Sequence, residues 1–139
     1  MVATVSLASS IDALRISLHV LAACVWIGGQ VVMGALVPTV RGFGPEATKK
    51  IVAVFGRIEW PTFAVLVATG VWNVLALHSG KDNTNWQAVL SAKYAVVLVA
   101  GVAVYLHTRA KTPRLRGISA GVGLLTSLGA MVLGVVLAG

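Results

Sequence analysis

The fold is decided by residues 11–40, which read IDALRISLHVLAACVWIGGQVVMGALVPTV. A helix needs about 20 mostly apolar residues to cross the hydrocarbon core of a bilayer, and this stretch exceeds that length. Its charged or basic side chains are Asp12, Arg15 and His19, and all three lie in its first third. The stretch therefore predicts a transmembrane helix that carries polar groups toward one end.

Three further apolar stretches, at residues 51–78, 86–107 and 115–138, fill most of the remaining chain. Of the 139 residues, 58% are hydrophobic and 11% are charged, whereas a soluble domain has about 25% charged residues. Because too few charges are left to cover a surface in water, lipid must be the outer solvent. We expect an all-α integral membrane bundle of four helices that forms a single domain over residues 1–139.

The formal net charge is +7, and the basic residues cluster in two of the three connections between spans. These residues are Arg41, Lys49, Lys50 and Arg57 after the first span, and Arg109, Lys111, Arg114 and Arg116 after the third. The positive-inside rule places both connections in the cytoplasm, and hence both termini outside, in a multi-pass protein of the cell (inner or plasma) membrane. Short clusters beside apolar spans are typical of contact with anionic lipid headgroups and do not indicate nucleic-acid binding.

His19 lies on the most polar face of the first span. At about 100° per residue, Arg15, Trp26 and Gln30 fall on or near the same face. A titratable group inside hydrocarbon costs several kcal/mol, so this face is expected to point into the bundle. Two interpretations of His19 stay open: a ligand or proton-handling group, and a buried histidine bonded to a neighbouring helix.

Lys93 lies at a depth similar to that of His19. It follows Trp86, an expected interface anchor, by seven residues, or roughly 10 Å at 1.5 Å per residue. His78 ends the second span on the same side of the membrane. We therefore expect the nitrogen atoms of His19, His78 and Lys93 to converge near the outer surface, although Lys93 also fits a lysine that extends to the interface.

Four more polar residues, on the second and third spans, are expected to point inward. Glu59 lies near the cytoplasmic end beside Arg57, where a local or interhelical ion pair is the expected role. Thr69 and Asn73 share a face with Glu59 and are expected to form hydrogen bonds across the bundle. His107 lies near the cytoplasmic basic cluster, where a position at a helix C-terminus suits it.

Imidazole nitrogen suits haem iron and copper, and groups on facing helices of a bundle can hold a haem. Copper(I) prefers thioether and thiolate ligands, and such ligands are few and dispersed here. They are Met1, Met33, Met131 and Cys24. The dispersed sulfur ligands weaken copper permeation and relatively favour haem or a mixed-nitrogen site at His19, His78 and Lys93, with copper at His19 and His78 as the alternative. No recognised catalytic motif or nucleophile–base pair is present, so no catalytic residue is assigned.

A series of short motifs is found in order along the chain. They are Leu18-His19, Ala22-Ala23, Trp26-Ile27-Gly28-Gly29, Arg57, Pro61, Thr69-Gly70, Ala92-Lys93 and Tyr105-Leu106-His107. This series resembles the copper resistance protein D family and the HemJ-type protoporphyrinogen oxidases, which are four-helix membrane proteins of similar length. The HemJ resemblance implies that His19 and Lys93 are associated with haem b and activity, whereas the copper resistance resemblance implies copper uptake or tolerance.

The chain departs from the HemJ pattern after the third span. There an Arg followed by Asn-Glu-x-Pro is expected, whereas Arg116 is followed by Gly117, Ile118 and Ser119 and then by apolar sequence. The leading hypothesis is a haem-b protein in electron transfer or porphyrin oxidation, with His19 as an axial ligand and Lys93 or His78 opposite or nearby. The alternatives are a copper-handling protein and an accessory subunit of a larger membrane complex. The sequence leaves open whether the chain also forms a homo-oligomer.

Overall fold

The computed structural model describes residues 9–77 and 82–138, and this part of the chain forms four helices. They are α1 (Ser10–Arg41), α2 (Pro45–Leu75), α3 (Thr84–Arg109) and α4 (Pro113–Ala138). Each is long and apolar enough to cross a membrane. The predicted all-α four-helix membrane fold is confirmed. His78 lies outside the described residues.

The second helix differs most from its predicted span. We expected residues 51–78, but α2 begins at Pro45 and ends at Leu75. Pro45 can start a helix because its missing N–H would have no intrahelical partner there, and its fixed φ suits the first turn. Gly44 precedes it at φ 100°, a conformation that favours glycine. The hydropathy pattern predicts only the apolar part of α2, and the polar first turns lie outside the predicted span.

Side chains cap two of the other helices. Ser9 accepts a hydrogen bond from the Asp12 backbone N–H at 3.2 Å and donates to the Asp12 carboxylate at 2.7 Å. Asn83 accepts from the backbone N–H groups of Asn85 and Trp86, at 2.9 and 3.2 Å. These bonds satisfy N–H groups that have no partner within the helix, and so fix where α1 and α3 begin.

The helices pack as two antiparallel hairpins, α1 with α2 and α3 with α4, and the hairpins meet mainly along α1 and α4. The starts of α1 and α3 and the ends of α2 and α4 therefore share one end of the bundle. We call this the terminal end. The opposite end, with residues 42–44 and 110–112, is the basic end.

Trp26 is the largest buried side chain, with 2% of its surface exposed. Its ring packs on Phe63 of α2 at 4.5 Å between centroids and edge-on to Trp60 at 6.5 Å. Its indole N–H donates to the Ser127 hydroxyl of α4 at 2.9 Å. Trp26 thus joins three helices in the middle of the bundle.

Large apolar side chains cover the outside of the bundle. Leu98 and Leu125, for example, are 69% and 70% exposed. In water, apolar surface of this extent would drive association, whereas in a bilayer it contacts acyl chains. Surface and core are thus both consistent with a membrane-embedded protein.

Candidate functional site

His19 is half-buried in α1, and its Nδ1 lies 2.9 Å from the Thr69 hydroxyl oxygen of α2. Thr69 also lies 2.7 Å from the Val65 carbonyl oxygen, which can only accept a hydrogen bond. When the Thr69 hydroxyl donates to Val65, its oxygen accepts from the Nδ1–H tautomer of His19. In that tautomer of the neutral imidazole, Nε2 keeps its lone pair for a ligand or proton.

Lys93 lies on α3, and its Nζ approaches Gly134 of α4, whereas His19 approaches Gly70 of α2. Gly70 and Gly134 both lie near the helix ends at the terminal end of the bundle, so His19 and Lys93 share this half of the bundle. We call this pair, with Thr69, the His19–Lys93 site.

Two glycines make room for the site. A methyl group at Gly70 would lie 3.3 Å from His19 Cε1, and one at Gly134 would lie 3.0 Å from Lys93 Nζ. Elsewhere on the same helices, a methyl at Gly56 or Gly121 would meet nothing within 4 Å. Gly70 and Gly134 were not singled out from the sequence as site residues, because their role depends on the register between helices.

Arg15 lies one turn from His19, toward the terminal end. Its guanidinium forms an ion pair with Asp12 at 2.7 Å and donates to the Asn73 side-chain oxygen of α2. Its Nε is buried and has no hydrogen-bond partner in the described part of the chain. The interhelical hydrogen bonds expected of Thr69 and Asn73 are both present.

Gln30 and Trp26 lie below the site, toward the basic end, and both contact Ser127 of α4. Gln30 Nε2 is 3.4 Å from the Ser127 hydroxyl and 3.2 Å from the Trp26 carbonyl oxygen. The Ser127 hydroxyl itself donates to the Gly123 carbonyl at 2.7 Å. With the rings of Trp26 and Phe63, these bonded groups fill the bundle interior on the basic side of the site.

Glu59 is 2% exposed, as expected of an inward residue, but it lies in the middle of α2 (Pro45–Leu75) and not near its start. The expected ion pair was wrong. Both carboxyl oxygens are buried without a hydrogen-bond partner among the described residues, and Arg57 is exposed. Residues two apart on a helix do not face each other, so Arg57 and Glu59 point to different sides of α2. Glu59 instead faces Gly29 of α1.

His107 lies apart from the site, in the last turn of α3 at the basic end. Its Nδ1 is 2.9 Å from the Arg116 carbonyl oxygen in the first turn of α4. The bond connects the two helices of one hairpin, as suits a residue at a helix C-terminus. His78, which the sequence predicts to lie near His19, is outside the described residues.

Within residues 9–77 and 82–138, no three His, Cys, Asp or Glu side chains lie together in a group that could hold a metal ion. Haem needs only one or two axial donors from the protein, and His19 Nε2 with Lys93 Nζ can supply them. The Arg15 Nε–H, which has no partner among the described residues, could bond a carboxylate, the group that haem carries as its propionates. The donor set therefore fits a haem.

A shallow surface groove of about 240 Å³ lies along the seam between α1 and α2. Its wall includes Leu18 and Ala22, which flank His19 on α1, and Val65, whose carbonyl accepts a hydrogen bond from Thr69.

No family model matches the sequence, and no curated protein or solved structure matches the chain. The residues of the site are therefore the basis for assigning a function.

Proposed function

We propose that this chain is a haem-b protein of the cell membrane, similar to the copper resistance protein D and HemJ-type proteins, with His19 as an axial ligand. The hydrogen bond between His19 Nδ1 and the Thr69 hydroxyl carries the proposal, because with Nδ1–H as its donor it would orient the ring and leave Nε2 unprotonated. Histidine ligands in metal sites are commonly oriented in this way. A bound haem would supply one-electron redox chemistry, for electron transfer or for oxidation of a porphyrin-like substrate that arrives through lipid.

The other residues of the site bind and orient. Lys93 Nζ would supply a second nitrogen to hold the group. Arg15 Nε would supply an N–H to one of its carboxylates at the terminal end. The layer formed by Trp26, Gln30 and Ser127 restricts water from the basic side. In this proposal the terminal end faces outward and the basic end faces the cytoplasm.

An absorption spectrum of the protein purified in mild detergent, oxidised and then reduced with dithionite, tests the proposal. We expect a Soret band and sharp reduced α and β bands. His19→Ala should lose them, whereas His107→Ala should keep them, because His107 bonds at the opposite end of the bundle. Full haem content in folded His19→Ala would overturn the ligand assignment.

A featureless spectrum from a folded, monodisperse sample would reject haem as the resident cofactor. Metal analysis of that sample would then test copper at His19 and His78. Other chains that co-purify in fixed proportion would instead support an accessory subunit of a larger membrane complex. A homo-oligomer would appear as a larger particle that contains this chain alone.

A further inference from the structure

Glu59 is a second buried ionisable group, separate from the His19–Lys93 site. It lies in the middle of α2, against Gly29 of α1 and one turn after Phe55. On α1, Gly29 is ten residues beyond His19, or roughly 15 Å along the helix. The Glu59 carboxyl is therefore too far from His19 to belong to that site.

Gly29 forms the pocket that the carboxyl occupies. A methyl group at Gly29 would lie 2.9 Å from Glu59 Oε2 and 2.9 Å from the Phe55 ring. The neighbouring Gly28 differs, because a methyl there would meet nothing within 4 Å. The carboxyl thus occupies a space lined by glycine and an aromatic ring, neither of which offers a charge.

No charged side chain faces Glu59 from the helices of the bundle. On α1 none occurs between His19 and Arg41, and on α3 none occurs between Lys93 and His107. On α4 none occurs after Arg116, and on α2 the nearby Arg57 is exposed on another side of the helix.

An ionised carboxylate in such a place would carry the full desolvation cost with no compensating partner, so the group takes up a proton instead. Protonation does not satisfy it completely. Neither oxygen of Glu59 has a partner in the described residues, so the acid also lacks an acceptor for its O–H. A leucine or methionine would fill this space without that cost, and an ionisable residue kept inside a membrane span is a functional group by default.

We propose that Glu59 is a proton-binding site in the middle of the membrane, which holds one proton at rest and exchanges it when water or a ligand reaches the carboxyl. This proposal goes beyond haem binding and does not depend on it. The site takes a proton rather than a metal ion, because the structure places no further carboxylate, histidine or cysteine in a metal-binding group with it among the described residues.

Dicyclohexylcarbodiimide tests the proposal, because this apolar reagent adds to protonated carboxyl groups in lipid. The carboxyl proton and oxygen add across the carbodiimide, and the adduct rearranges to an N-acylurea with no atom lost. In the full chain in liposomes, peptide mass spectrometry should find the adduct at Glu59. Glu59→Gln should abolish it. Glu46→Gln should leave it unchanged, because Glu46 is exposed in the first turn of α2.

Infrared spectroscopy of the unlabelled protein supplies an independent readout. We expect the carbonyl stretch of a protonated carboxylic acid in the wild type and in Glu46→Gln, and its loss in Glu59→Gln. Gly29→Ala should shift the band because the new methyl displaces the carboxyl, whereas Gly28→Ala should not. A folded wild type with carboxylate bands alone, or with carbodiimide adducts only at Glu46, would overturn the proposal. Both measurements apply whether or not the sample contains haem.

Discussion

At the residue scale, the contact with Thr69 orients His19. The Thr69 hydroxyl donates to the Val65 carbonyl and lies 2.9 Å from His19 Nδ1, so one side chain connects the α2 backbone to the imidazole. Thr69→Val keeps the shape and removes both bonds. We expect the ring to lose its fixed orientation and the free energy of unfolding to fall by about 0.5–1.5 kcal/mol. Haem titration and thermal unfolding in detergent measure the two effects.

Thr62→Val is the matched control for Thr69→Val. Thr62 lies two turns earlier on α2, and its hydroxyl donates to the Ile58 carbonyl at 2.8 Å. This variant should bind haem as the wild type does. Equal losses of haem affinity in the two variants would contradict the role assigned to Thr69.

The site residues that the sequence predicts differ in one physical respect from those that it does not predict. The inward positions of Arg15, His19 and Trp26 follow from helical periodicity, which a single sequence contains. The space beside Gly70 and Gly134 depends on which residue of a neighbouring helix stands opposite, and that register is set by packing. The ion pair expected of Glu59 was wrong for a different reason: residues two apart on one helix do not face each other, so its neighbour in sequence, Arg57, is not its neighbour in space.

At the scale of elements, Ser127 is the point where α4 bonds to α1. Ser127→Ala would leave the buried Trp26 N–H without its acceptor. Because an unsatisfied buried donor costs about 1–3 kcal/mol, we expect a loss of that size in the free energy of unfolding. Tryptophan fluorescence during unfolding in detergent measures it.

Ser119→Ala serves as the comparison for Ser127→Ala. Ser119 is also buried on α4, but its hydroxyl donates to the Leu115 carbonyl of its own helix at 2.8 Å. Its removal deletes no interhelical bond. A Ser119→Ala loss as large as that of Ser127→Ala would show that the α1–α4 bond contributes little.

The ends of the elements show what hydropathy can predict. The span at residues 11–40 agrees with α1 (Ser10–Arg41) to within a residue, because there the apolar stretch and the helix nearly coincide. The second span does not agree with α2, since the helix includes polar residues from Pro45 onward. Hydropathy locates the part of a helix that suits lipid, whereas proline and capping residues locate where the helix begins.

At the scale of the whole molecule, the basic residues predict orientation. In a Cys24→Ala background, Asp82→Cys places a thiol at the terminal end and Lys111→Cys places one at the basic end. A membrane-impermeant maleimide should label the first in intact cells and the second only after permeabilisation. The reverse pattern would show that the terminal end faces the cytoplasm.

The polar bonds of α1 have consequences for how the chain enters the bilayer during synthesis. Arg15 and His19 bond to residues of α2 that follow them by 58 and 50 positions. Trp26 bonds to Ser127, which follows it by 101 positions and is therefore synthesised much later. The first hairpin can therefore pair its basic side chains as soon as α2 leaves the ribosome and translocon. The second hairpin then packs against a first hairpin in which Arg15 and His19 are already bonded and no longer face lipid.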